Sequence, residues 1–323
     1  MKRAKREGEI NWDTIMHVYY TRELVKLLGR RYPDLDTEIR RDHNMWQPGK
    51  NLVNTVIAEY QAGKFTPDVI TSPFFFVTQL NEAGVIAKNI APFREALRPG
   101  LGDQEGWINP VYTTIYTILY NTRLVKAEEL PKSYEDLLHP RWKGRLAINQ
   151  EDPEWLAALI EVMGQEKAID FAKKLAAQRP NLRRGDTPAE QLVAAGESAL
   201  FPGQHLHSAI ALKKAGAPVE IHFVEPVLTQ ASTATWIAKR APHPHTALLF
   251  VDFLFSKEAQ TILSNFGRLP ARKDVKIQYG LDDKKLHFLS NQWVGDRLKE
   301  LKESLHQIFS VRGAENKDPV EQK

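Results

Sequence analysis

His205 and His207 stand two residues apart, just after Pro202-Gly203. On an extended segment two such imidazoles share a face and could hold a ligand; on a helix they diverge. No Glu-x-x-His and no second His pair stands at a ligating spacing to them, so the spacing assigns no metal site. Upstream, Arg183-Arg184-Gly185-Asp186-Thr187-Pro188 joins two guanidiniums, a permissive glycine and a helix start. A guanidinium fork suits a carboxylate or phosphate. Glu190 lets Thr187 read as the first member of a Thr-x-x-Glu capping box.

The same device recurs at Ser72-Pro73 and Asp152-Pro153, a cap residue followed by proline. Proline costs nothing at the first helical position, because its missing N–H would be an orphan there. The free N–H groups of such helix starts favour anions. Polar and aromatic side chains gather at the ends of the expected strands. The candidate ligand contacts are Trp12, Asp13, Thr14, Ser72, Tyr112, Asn149, Gln150, Trp155, Arg184, Thr187, Gln204, His205 and Glu225. His243, His245 and the Asp42-His43 pair read as surface, and Tyr19-Tyr20 as helix packing.

The chemistry that is missing narrows the reading. There is no cysteine, which removes thiolate catalysis, thiolate-held metals and disulfides. There is no Gly-x-Ser-x-Gly elbow, no Gly-x-Gly-x-x-Gly and no Walker loop, so no catalytic residue and no cofactor is assigned. Lys and Arg number 44 against 40 Asp and Glu, a formal charge of +4 spread along the chain. Such a balance excludes the basic stripe of a nucleic-acid binder. The basic cluster Lys2, Arg3, Lys5, Arg6 reads as a solvated tail, and no apolar run follows it as a signal peptide requires.

These residues need elements to position them. At 323 residues, with 42% hydrophobic and 26% charged side chains, the chain has room for about two globular domains. Strand and helix signals alternate over residues 9–84 and again over 145–224. Such a rhythm predicts α/β lobes with mostly parallel sheets flanked by helices. The β-rich stretches 111–120 and 227–237 are long enough to cross between two lobes. The expected division is residues 1–110 with 228–280 in one lobe. Residues 111–227 form the other, with 281–323 packing on it as a C-terminal helix. Ligands of open α/β sheets sit beyond the carboxyl ends of the strands, so the cleft between lobes is the expected site.

Several segments then carry a family resemblance. They are Tyr60-Gln61-Ala62-Gly63-Lys64 with Asp68-Val69-Ile70, Leu119-Tyr120-Asn121-Thr122, and Pro131-Lys132-Ser133-Tyr134-Glu135-Asp136-Leu137-Leu138 leading to Pro140-Arg141-Trp142-Lys143-Gly144. Gln191-Leu192-Val193-Ala194-Ala195-Gly196-Glu197, Lys214-Ala215-Gly216-Ala217-Pro218-Val219, Ala241-Pro242-His243-Pro244 and Gly267-Arg268-Leu269-Pro270-Ala271-Arg272 continue it. Over residues 8–310 the chain resembles the extracellular solute-binding proteins of ABC importers, in the iron(III)/thiamine/sugar-phosphate branch of the type II periplasmic binding fold. The resemblance implies a monomeric, non-enzymatic binder that closes around one small polar or anionic solute. It would work in the periplasm or outside the cell and hand the solute to a membrane permease. Ferric-ion binders of that family carry an adjacent tyrosine pair on the segment that here reads Phe201-Pro202-Gly203-Gln204-His205-Leu206-His207. With no tyrosine there, the resemblance favours an organic solute. Ferric iron, or an enzyme on the same fold, stays as the alternative.

Overall fold

A computed structural model describes residues 2–42, 49–89, 92–101, 105–107 and 109–310. His43 and residues 312–323 lie outside the described residues. The chain forms two compact units, residues 1–113 with 231–282, and residues 114–230 with 283–323.

The first unit is built on one mixed sheet. Strand Glu9–Thr14 lies between Asp36–Asp42 and Val69–Pro73 and is parallel to both. Thr233–Ala238 returns antiparallel to Val69–Pro73 and to Asn109–Thr114. All of Ile10 to Thr14 is buried, because helices cover the sheet; Trp12 meets Phe250 of helix Pro244–Leu254 edge-on. The basic N-terminus is a short helix, Lys2–Glu7, rather than a free tail, although Lys2, Arg3, Lys5 and Arg6 are exposed as expected. Ala4 is buried, and Thr246 donates its backbone N–H to Glu7, which fixes that helix against Pro244–Leu254.

In the second unit strand direction changes along the sheet. Ala147–Asn149 runs parallel to Asn181–Arg183, and a parallel bridge joins Leu146 to Leu200. Leu200–His205 then pairs antiparallel with Tyr116–Asn121, which pairs antiparallel with Val219–His222. The α/β class is as expected, but the sheets are mixed rather than mostly parallel. The long run 111–120 is two strands, Asn109–Thr114 and Tyr116–Asn121, in different sheets. Leu119, Ala147, Phe201 and Val219 form the core with Ala189, Leu192 and Val193 of helix Asp186–Ala195. Helix Asn291–Ser310 packs on helices Pro153–Met163 and Gln165–Ala177. No helix among the described residues is long and apolar enough to cross a membrane.

Candidate functional site

Three strands of the second unit end side by side, and each delivers a polar side chain. The register Asn149↔Arg183 aligns the ends of Ala147–Asn149 and Asn181–Arg183. Helix Pro153–Met163 follows the first strand, capped by Asp152, whose carboxylate accepts from the N–H groups of Glu154 (3.1 Å) and Trp155 (3.2 Å). Helix Asp186–Ala195 follows the second, and His205 ends the third at the start of helix Leu206–Lys214. Ligating atoms of Asp152, Asp186 and His205 lie within 4.8 Å of one another.

The hydrogen bonds orient each member. His205 Nδ1 is 3.1 Å from Asp186 Oδ2, and His205 Nε2 is 3.9 Å from Asp152 Oδ2. Asn149 Nδ2 donates to Asp186 Oδ1 at 2.8 Å, while Asn149 Oδ1 accepts from the N–H groups of Gly185 and Glu151. The Tyr116 hydroxyl donates to both Asp152 oxygens. Behind the histidine, Gln204 Nε2 donates to Glu190, and Gln204 Oε1 accepts from the His205 N–H. The His205 and His207 rings lie nearly parallel at 5.5 Å.

Burial sets the electrostatics. It raises the Asp152 carboxyl above its ordinary range; Asp186 adds to the rise, and His205 and the Tyr116 hydroxyl oppose it. Burial also pushes Glu190 up to about 7, against the hydrogen bond from Gln204. Burial and the Asp152 charge hold the Tyr116 phenol well above its usual range, so it stays a protonated donor. Two carboxyl groups, Asp152 and Asp186, thus flank one imidazole, and Glu190 bonds the neighbouring Gln204, so acidic groups outnumber the one basic ring here.

The structure brings together Asn149, Gln204 and His205 of the sequence candidates. It adds Asp152 and Glu190, which the sequence offered only as capping residues, Asp186, which it offered only as part of the loop before Thr187, and Tyr116, which it offered only as a strand residue. Trp155 stands beside them, buried, with its ring against Gly203. Gln150 is partly exposed and donates its N–H to the Arg183 carbonyl. Thr187 is exposed inside the helix that Asp186 begins, so no capping box forms; Glu190 turns inward to Gln204 because a buried amide is available there. Arg184 is 75% exposed and lies 3.7 Å from Glu151, a surface position. Glu225 is exposed too and accepts from Lys284 Nζ and the Lys285 N–H.

The remaining candidates belong to the first unit. Trp12 is fully buried and donates from its indole to Thr71 Oγ1 at 2.9 Å. Asp13 is buried on the same strand, and Thr14 accepts from the Met16 N–H. Ser72 is buried, and Pro73 ends its strand; a 3₁₀ turn, Phe74–Phe76, replaces the expected capped helix start. Tyr112 is buried against Arg268, whose guanidinium lies 4.7 Å from its ring, and its hydroxyl is 3.2 Å from that of Tyr20. His243 is half-buried rather than a plain surface residue: its Nδ1 lies 2.9 Å from the fully buried Asp68.

Residues 65–297 match the family of bacterial extracellular solute-binding proteins. The chain belongs to that family. Over 234 residues this binding protein is 31% identical to an uncharacterized protein of Haemophilus influenzae, covering 66% of each chain. Over 162 residues it is 32% identical to iron uptake protein A1 of a Synechocystis species, covering 46% of this chain and 45% of that one. The match thus spans less than two thirds of both curated relatives. Its fold is similar to that of Trichodesmium IdiA (FutA) in complex with iron and citrate, with a TM-score of 0.75, 21% identity and coverage of 93% of this chain and 99% of that one. It is also similar to AfuA of Actinobacillus pleuropneumoniae with fructose-6-phosphate bound, with a TM-score of 0.73, 22% identity and coverage of 94% and 99%. These likenesses place the fold among the two-lobed periplasmic binding proteins.

Proposed function

We propose that this protein captures a small polar solute outside the cytoplasm and delivers it to an ABC-importer permease. It would do so as a monomer without catalysing a reaction. The observation that carries the reading is the convergence of Asp152, Asp186 and His205 at the starts of three helices in a member of a solute-binding family. Side chains aimed beyond strand ends on rigid elements suit selective binding. The excess of carboxyl groups favours a solute that brings positive charge, including an anion that carries its own metal ion. Iron carriage is the second reading. The likeness to iron uptake protein A1 supports it, while the lack of tyrosine on residues 201–207 argues against phenolate ligation.

The test is a thermal-shift titration of untagged protein with citrate, ferric citrate and fructose 6-phosphate, paired with native mass spectrometry of the protein as purified. One solute class should raise the melting temperature in a saturable way, and Asp152→Asn should weaken the response. A flat response to all three, with a bare chain in the mass spectrum, counts against a solute-binding role for this site.

A further inference from the structure

His205 Nδ1 lies 3.1 Å from a carboxylate oxygen of Asp186. That contact places the ring proton on Nδ1 and leaves the Nε2 lone pair open. Nε2 is buried and has no hydrogen-bond partner. It faces Asp152 Oδ2 at 3.9 Å, a separation too long for a hydrogen bond. Two acceptors therefore confront each other in a buried place. Such a pair is costly unless a proton or a bridging cation relieves it, and only a metal ion engages both lone pairs at once. A metal bound by an imidazole nitrogen and a carboxylate oxygen sits about 2.0–2.2 Å from each, so the two ligands stand at most about 4.4 Å apart. The gap fits.

We propose that His205 Nε2 and Asp152 Oδ2 share a divalent first-row transition-metal ion. This deepens the solute-binding reading and rests on it. One nitrogen with carboxylate oxygen suits Zn²⁺, Co²⁺, Fe²⁺ or Mn²⁺. Asp186 is then the positioning residue, holding the imidazole in the tautomer that offers Nε2, and Asn149 in turn holds Asp186. Tyr116, Glu154 and Trp155 donate to Asp152 and fix its carboxylate, so the phenol orients a ligand without being one. Two protein ligands leave further coordination positions for water or an oxygen of the solute.

Untagged protein is stripped with a chelator and titrated with Co²⁺ and Zn²⁺ by calorimetry, with the visible spectrum of the cobalt form recorded. One equivalent should bind. Asp152→Asn and His205→Ala should abolish binding, with the circular dichroism unchanged. Asp186→Asn should weaken it by about 10–100-fold and alter the cobalt spectrum, as expected when an orienting partner is lost. His207→Ala should bind like the wild type. No binding by folded wild type overturns the assignment, as does binding that survives both Asp152→Asn and His205→Ala. Fructose 6-phosphate in metal-free buffer separates the two levels: stabilisation by it, without metal uptake, sinks the metal assignment and keeps the solute reading. A protein that answers to neither loses both.

Discussion

The Tyr116 hydroxyl lies 2.8 Å from Asp152 Oδ2 and 3.0 Å from Oδ1, joining a strand to the cap of a helix 36 positions further along the chain. The phenol is protonated through the neutral range because burial and the Asp152 charge both resist its ionisation. Its removal leaves Asp152 with backbone donors alone. Tyr116→Phe should therefore cost about 1–3 kcal/mol, the range for a hydrogen bond to a buried charged group. Urea unfolding checks this, and an unchanged midpoint would show that the bond contributes nothing.

Glu190 gives the second unit a pH dependence. Burial raises its folded carboxyl to about 7 from the ordinary 4.5. A folded value above the unfolded one means that the native state binds the proton more tightly. The associated stability is complete below the unfolded value and is lost as pH rises through about 7. Asp152, also raised, acts in the same direction. Wild-type stability should fall between about pH 5 and about pH 8, and Glu190→Gln should flatten much of that slope. A variant with the wild-type slope would assign the effect elsewhere.

Gly203 has φ +85°, and a Cβ there would meet the Trp155 ring at 3.2 Å. Gly203→Ala forces a left-handed backbone on an L-residue and presses on a buried indole that stands beside Asp152. The expected loss is about 1–3 kcal/mol. Trp155 fluorescence and a denaturant titration would reveal it. Equal stability to the wild type would mean that the strand relaxes freely.

Asp68 organises the first unit. It is fully buried and accepts from the Asn11 N–H (2.7 Å), the His243 N–H (2.6 Å) and His243 Nδ1 (2.9 Å). Asp68→Ala strands those donors at about 1–3 kcal/mol each and leaves a cavity. It should be the most destabilising of these substitutions, and Asp68→Asn, which keeps one acceptor, should recover part of the loss. A melt in which Asp68→Ala matches the wild type would contradict this account.

Arg184 supplies a contrast. Its sequence context, Arg-Gly-Asp-Thr-Pro, reads as an anion contact, but its side chain lies in solvent near Glu151. An exposed pair of this kind is worth at most about 1 kcal/mol. Arg184→Ala should leave the melting temperature within experimental error, and a clear drop would show that the loop depends on it.

Much was legible in the amino-acid sequence alone. Alternating helix and strand signals carry the α/β class, because periodicities of 3.6 and 2 record which faces are buried. Asp152-Pro153 marks its helix start correctly, since capping is a local matter of one carboxylate and the next few N–H groups. The scaffold motifs around residues 60–70, 131–144 and 267–272 carry the family. Other local readings failed where a tertiary partner outbid the local one. Glu190 is three positions beyond Thr187, as a capping box requires, yet it bonds Gln204. His243 follows a proline in a polar loop, yet the buried Asp68 claims it.

The site itself was decided by tertiary structure. Asp152, Asp186 and His205 are far apart in the chain, and no spacing connects them. They meet because Asn149↔Arg183 pairs in register and Leu146 bridges Leu200, so three strands end at one level. A one-residue slip in that pairing would turn the side chains to the opposite face. Sequence determines which residues can ligate or cap; only the strand register determines that an open histidine nitrogen and a carboxylate oxygen face one another across 3.9 Å.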